Sequence, residues 1–374
     1  MAKFVHSIPA WTMGPRSANP KFQTGIILNG IPLVEDRLLA LMRLNAKLET
    51  RDEQPLLTSV HVLHEVKTRN PRLARYNSPS AIHPDKLMSG IRRGKFPRIL
   101  AVTAPAFGFK GAQNGGILAD DNTMAIELHR EALSLAERLK DEGLGEGVVI
   151  WWPSFDSRRM NVLKPINMRR TKRMSAKELV SVYLDLFEGL THEEAWVSLK
   201  EFWVQQLQDD GKVHLEWKSV DPGDLDYVCT LELAIKFCKE VNDALGRIAM
   251  LINNEWAHLL CSGKTVLNGT KETYEAGLFS GFLHCNSARL MPVSVSTQLE
   301  SGKAPNEIVT SFDEDWAVGM GGKERWDDQA ASVNYLETCG VETIFAEHDI
   351  NPAGNDPLAY AAFSIGNLEK MLAS

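Results

Sequence analysis

Cysteine is scarce in this chain. Five thiols in 374 residues, Cys229, Cys238, Cys261, Cys285 and Cys339, include no CxxC pair. An odd, scattered set of this kind excludes a disulfide framework and a thiolate zinc site, and it fits a reducing compartment. Long apolar runs are missing too. None approaches the roughly 20 residues that a membrane-spanning helix needs, and the opening residues MAKFVHSIPAW hold no signal core, so a complete cytoplasmic protein without a membrane partner is expected. Positive charge is short as well. The net charge is −7 and the longest basic cluster is MRRTKRM (168–174), which argues against nucleic acid as a partner. That cluster reads as a solvated or subunit-contact face. No glycine-rich phosphate fingerprint opens a helix, GGKERW (321–326) being too short and following no strand, and there is no internal repeat.

What the chain does have is length and alternation. With 44% hydrophobic and 24% charged residues it can bury a substantial core. Eight short apolar or β-branched runs stand out: residues 59–64, 98–105, 115–120, 148–153, 213–218, 248–256, 277–286 and 342–349. Helical patterns lie between most of them, such as 120–143, which opens on Asp and Asn and ends at Gly, and 230–246, which repeats the design. Eight such runs with interposed helices predict an α/β protein with a (β/α)8 barrel as one domain over 1–374. Residues 1–57 form an N-terminal helical extension in this reading, and 287–312 an inserted loop after the seventh strand. An open, doubly wound sheet is the alternative.

In such a barrel chemistry collects where the strands end. Four late runs end in metal-ligand types: Glu216 with Lys218, Glu255 with His258, His284 with Asn286, and Glu347 with Asp349. Buried carboxylates packed this closely repel unless a cation sits among them. Mostly oxygen donors with one or two imidazoles suit Mn²⁺ or Mg²⁺, with Co²⁺ also compatible. Asp313 and Asp315 form a D-x-D pair that could close a second site with His258. His129, His192 and His348 take structural readings, and Cys285 is read as core.

With these residues in order, the chain resembles the L-rhamnose isomerase family of xylose isomerase-like barrels. IPAWTMG (8–14), SVHVLHEV, AVTAPAF, GGILADDN and VVIWWPSFD look like its successive N-terminal segments; EWK, EWAH, FLHCNS, DED and DINPAGNDP look like its metal motifs. The resemblance implies aldose–ketose isomerisation of a monosaccharide by metal-assisted hydride shift, with two Mn²⁺-type ions per subunit and a homotetramer. Carried over, Glu216, Glu255, His284 and Asp349 hold the substrate-binding ion. His258, Asp313 and Asp315 hold the second, and Lys218 polarises the substrate oxygen. On the same resemblance Trp151 or Trp152 covers the apolar face of the sugar, and His61 and Asp120 are candidates for hydroxyl contacts or ring opening. Catalytic roles thus fall to Lys218, His258, Asp313 and Asp349. Glu255 replaces the family's Asp, the spacing from His284 to Asp313 is longer than the family's, and Asp120 falls where the family has a His.

Other readings compete. Sugar 3-epimerases of the same barrel class use two glutamates flanking one metal, roles open to Glu216 and Glu347. A phosphodiesterase of the endonuclease IV type is disfavoured by the acidic balance and the few strand-end histidines. A sugar-binding barrel without turnover would bind and release its ligand unchanged.

Overall fold

The computed structural model describes residues 2–11, 27–28, 31–49, 55–104, 116–118, 122–153, 192–208, 211–217, 228, 230–262, 264–288, 315–348 and 357–372. Eight strands form one sheet: β1 (Lys3–Ser7), β2 (Thr58–His61), β3 (Ile99–Thr103), β4 (Gly145–Trp151), β5 (Val213–Leu215), β6 (Met250–Glu255), β7 (Phe279–His284) and β8 (Thr343–Glu347). Neighbours are parallel, in the order β1-β8-β7-β6-β5-β4-β3-β2. The ends meet through the Ser7–Leu57 bridge and the bonds Ile8 N to Leu57 O (3.2 Å) and Ala10 N to Ser59 O (2.9 Å). The sheet closes on itself, and the expected (β/α)8 barrel is the architecture observed.

Two expectations about the strands need correction. Of the run 115–120 only Gly116–Leu118 is described, and these residues form a single 3-10 turn and not the expected strand; three apolar residues behind two glycines carry too few side chains to favour an extended ladder. Residues 3–7, read as part of a helical extension, are instead the first barrel strand, hydrogen-bonded in register to β8.

The described α-helices are α1 (Val34–Glu49), α2 (Pro84–Arg92), α3 (Thr123–Asp141), α4 (His192–Gln206), α5 (Leu231–Leu245), α6 (Trp256–Cys261), α7 (Val266–Glu275), α8 (Lys323–Thr338) and α9 (Pro357–Leu372). Their limits follow from local chemistry. The Thr230 side chain accepts from Leu233 N to start α5, and Gly246, at φ +64°, ends it in the left-handed conformation that glycine adopts without a Cβ clash. Proline at the first position of α2 gives up an amide that would go unpaired there anyway.

Two apolar layers result from strand alternation. Outward residues such as Val149, Trp151, Val213 and Leu215 pack under the helices. Inside the barrel, Leu57, Leu100, Val148, Ile150 and Phe282 are buried with Val5 and Phe345 against them. Phe282 stacks on Phe345 with centroids 4.9 Å apart, and His214 meets its ring edge-on at 4.6 Å. Burial pushes the His214 imidazole down to about 3, so it stays neutral as part of this floor. The floor carries the polar ends of β5 to β8 above it.

Candidate metal site

Three strand ends share one level of the barrel. Glu255 on β6 is the register partner of His284 on β7, and His284 is the register partner of Glu347 on β8. Residues on one rung of a parallel sheet face the same side, so these three groups line the barrel mouth together. Glu216, one residue beyond β5, joins them: its amide donates to Trp151 O (2.9 Å), which continues the ladder past the last strand residue. All four are at most 5% exposed.

The opposed charges set the geometry. His284 Nδ1 lies 3.3 Å from Glu216 Oε1 and ion-pairs with Glu255 Oε2. Glu216 also accepts from Trp152 Nε1 (2.6 Å) and from Asn253 Nδ2 (2.5 Å). Burial opposes a charge on His284, yet the facing Glu255 and Glu216 outweigh it and hold the imidazole well above its ordinary value. The cluster therefore demands a positive charge at its centre.

At Glu255 the chain turns from strand to helix without a loop. Its carboxylate accepts from Ala257 N (3.2 Å) and caps α6, which brings His258, one turn on, back over the same centre. One ligand atom each from Glu216, Glu255 and His258 lie within 4.8 Å of one another, all buried. His284 Nε2 has no hydrogen-bond partner among the described residues. Buried carboxylates and imidazoles converging in this way fit a divalent ion bound through oxygen and nitrogen. Glu347 completes the rim, its Oε1 accepting from Ser59 Oγ.

The remaining expected residues fall into three groups. Trp152 is on the site. Trp151 is not: it packs outward against Trp203 (5.0 Å between centroids) and Phe237 (5.4 Å), because successive strand residues face opposite sides. Lys218, Asp120, Asp313 and Asp349 lie outside the described residues, as does the body of the expected insertion. Of Asp315 only the backbone is described. It pairs with Ala288 in a short antiparallel ladder, Ser287–Ala288 against Asp315–Trp316, which returns the chain to the end of β7.

His61 is held by groups the sequence reading did not single out. Glu65 accepts from His61 N (3.0 Å) and pairs with His61 Nδ1 (2.8 Å); its other oxygen is 3.3 Å from Arg37 Nη1, on α1. Burial alone would raise the Glu65 carboxyl, but His61 first and then Arg37 outweigh it and hold it below the ordinary value. Trp11 stacks on the His61 ring at 4.0 Å, and Trp152 stands 5.5 Å away on another side. An aromatic wall thus connects His61 to the indole that holds Glu216. The polar pair Asn253–Asn254 inside an apolar strand was a signal available in the sequence; Arg37 and Glu65 left none, being 28 residues apart.

No protein-family model and no curated protein matches the sequence. Solved structures do. An L-ribulose 3-epimerase superposes with a TM-score of 0.53 at 14% identity, covering 100% of this chain and 96% of that one. IolI protein with a bound zinc atom gives 0.51 at 13% identity, covering 99% and 96%. D-allulose 3-epimerase from Methylomonas sp. gives 0.52 at 8% identity, covering 99% and 100%. At such identities the likeness establishes the fold alone, that of a TIM barrel.

Proposed function

We propose that this barrel is a divalent-metal-dependent sugar isomerase/epimerase that moves a hydrogen at the carbon beside the carbonyl of an open-chain monosaccharide. The observation that carries the reading is the convergence of Glu216, Glu255 and His258 within 4.8 Å at the strand ends, with His284 between the two carboxylates. The superposed sugar epimerases share the fold and support the substrate class. An ion held there supplies Lewis-acid polarisation of the sugar oxygens.

The chain's own groups do the rest. Glu216, Glu255, His258 and His284 form the cradle, and Mn²⁺ suits this donor set. Trp152 and Trp11 cover the apolar face of the sugar and exclude water, and His61 meets a hydroxyl at the wall. Aldose–ketose interconversion is the first reading, in which Lys218 hydrogen-bonds the substrate oxygen, His258, Asp313 and Asp349 complete the catalytic set of a homotetramer, and Asp315 is a further ligand of the second ion. A specific observation favours a second, ketose 3-epimerisation. Glu347 shares the rung of His284 and Glu255, so Glu216 and Glu347 flank the centre as an acid–base pair.

The test strips the protein with chelator, reloads it with Mn²⁺ and incubates it with tetroses, pentoses, hexoses and deoxy-hexoses. Mn²⁺-dependent aldose–ketose interconversion that Glu216→Gln abolishes supports the first reading. C3 epimers formed with the aldose unchanged support the second, and no product from any sugar rejects both.

A further inference from the structure

Behind the rim of the site, on the helix side of β1 and β8, four polar side chains form a line that the chemistry above does not use. Glu369 on α9 is 45% exposed by its side chain, whereas His6 on β1 is 5% exposed, and His348, the residue after Glu347, is fully buried. Glu369 Oε1 is 2.7 Å from His6 Nε2, His6 Nδ1 is 3.1 Å from His348 Nε2, and His348 Nδ1 is 2.9 Å from Ser364 Oγ. Ser364 Oγ in turn accepts from Val318 N at 3.1 Å.

The protons in this line can be placed by elimination. Val318 N–H donates into Ser364 Oγ, and among the described residues the only acceptor for the Ser364 hydroxyl is His348 Nδ1. A nitrogen that accepts carries no proton, so the His348 proton is on Nε2 and is donated to His6 Nδ1. By the same logic the His6 proton is on Nε2 and is donated to the Glu369 carboxylate. All the bonds run one way, from a buried backbone amide to a surface charge, an arrangement in which each bond polarises the next.

The far end of the line matters to the site. Val318 is held by α9 on both sides, its carbonyl accepting from Asn367 Nδ2 at 2.8 Å. It lies two residues beyond the strand pair that brings Asp315 back to the end of β7. His348 N donates to Ser7 O at 2.8 Å, directly behind Glu347. The line thus fastens together β1, β8, α9 and the segment that leaves Asp315.

We propose that Glu369, His6, His348 and Ser364 form a one-directional hydrogen-bond chain of positioning residues, in which the acceptor oxygen at residue 369 fixes both imidazole tautomers and so seats Glu347 and the Asp315 segment at the barrel mouth. Its bearing on turnover rests on the function proposed above; its existence does not.

The experiment is ¹⁵N NMR of the full-length protein labelled at the histidine rings, in wild type, Glu369→Gln and Glu369→Lys, with His6 assigned through His6→Gln. Lysine has donors only, whereas the glutamine carbonyl still accepts. The wild type and Glu369→Gln should show both protons on Nε2. Glu369→Lys should move both to Nδ1, including that of His348, which does not touch residue 369. A Glu369→Lys protein whose His348 tautomer is unchanged overturns the chain, as does a wild type with either proton on Nδ1. Hydrogen exchange at the Val318 amide gives a second measurement on Ser364→Ala. Acceleration of about tenfold is expected, being the loss of roughly one such bond, and unchanged exchange counts against the chain. Turnover then tests the positioning role: Glu369→Lys should lower kcat with KM little changed, and Glu369→Gln should restore it. Tautomer reversal with wild-type kcat removes the positioning role. A wild type that turns over no sugar, with tautomers as described, removes only the functional reading.

Discussion

His284 stands between Glu216 and Glu255, 3.3 Å from one carboxylate and ion-paired with the other, so a single buried imidazole bridges two buried acids. With the ion removed its pKa is held above the unfolded value of about 6.5, against burial, by Glu255 and Glu216. A raised folded-state pKa gives stability that is fully present below the unfolded pKa and lost as pH rises through the folded one. The chelated protein should therefore lose Tm as pH climbs above neutrality. Because a bound ion displaces that proton, the Tm gap between Mn²⁺-loaded and chelated protein should widen over the same interval. A gap independent of pH would contradict the assignment of His284 as a ligand.

Trp152→Phe keeps an aromatic ring at this position but deletes the donor to Glu216 Oε1. A hydrogen bond to a charged group contributes about 1.5–3 kcal/mol. Roughly ten- to hundredfold weaker Mn²⁺ binding by calorimetry is the expected result. Trp151→Phe, made in the helix-facing layer, should leave Mn²⁺ affinity within about twofold and lower only stability, by about 1 kcal/mol.

Glu347→Gln separates the two proposed reactions. If Glu216 and Glu347 are an acid–base pair, losing one proton-transfer group should lower turnover by about 10²- to 10⁴-fold with Mn²⁺ affinity retained. If the chain interconverts aldoses and ketoses with Asp349 in that role, the same substitution should act mainly through the Ser59 contact and cost less than about tenfold. Measuring kcat beside Mn²⁺ affinity for this one variant decides between them.

Arg37 and Glu65 form a buried pair, 3% and 5% exposed. Removing one partner of such a pair leaves an uncompensated charge and typically costs about 3–5 kcal/mol. Arg37→Met should show that loss in urea unfolding, and Arg37→Met with Glu65→Gln should regain part of it. A double variant less stable than the single one would mean that Glu65 is held mainly by His61.

What the sequence revealed of this molecule follows from how local each signal is. Helix α5 was legible because its cap, Thr230, and its terminator, Gly246, act within one turn. Glu216, Glu255, His258 and His284 were legible because each ends or follows an apolar run where a further aliphatic residue would be ordinary. Strand β1 was not, since KFVHS carries His6 and Ser7 in place of aliphatics and owes its strand state to β8, more than 330 residues away. The two tryptophans could not be separated until the register of β4 fixed which of them faces inward. Glu65 and Arg37 acquire a role only when α1 packs beside the turn after β2, a contact without any short-range pattern.

Gly269 on α7 faces α6 at a place where a side chain does not fit. A Cβ there would overlap the Leu259 side chain, which is fully buried and follows His258. Close-packed neighbours resist a rotamer change of the buried Leu259, so part of the overlap is relieved by moving α6. Gly269→Ala should therefore destabilise by about 1–3 kcal/mol, the usual cost of overpacking, despite the gain in helix propensity. It should also shift His258 relative to Glu216 and Glu255 and weaken Mn²⁺ binding. Adding Leu259→Ala opens the space again and should restore Mn²⁺ affinity without restoring stability, because deleting a buried leucine side chain costs about 2–5 kcal/mol by itself. Affinity that stays low in the double variant would show that α6 takes its position from Glu255 and β6, and not from its contact with α7.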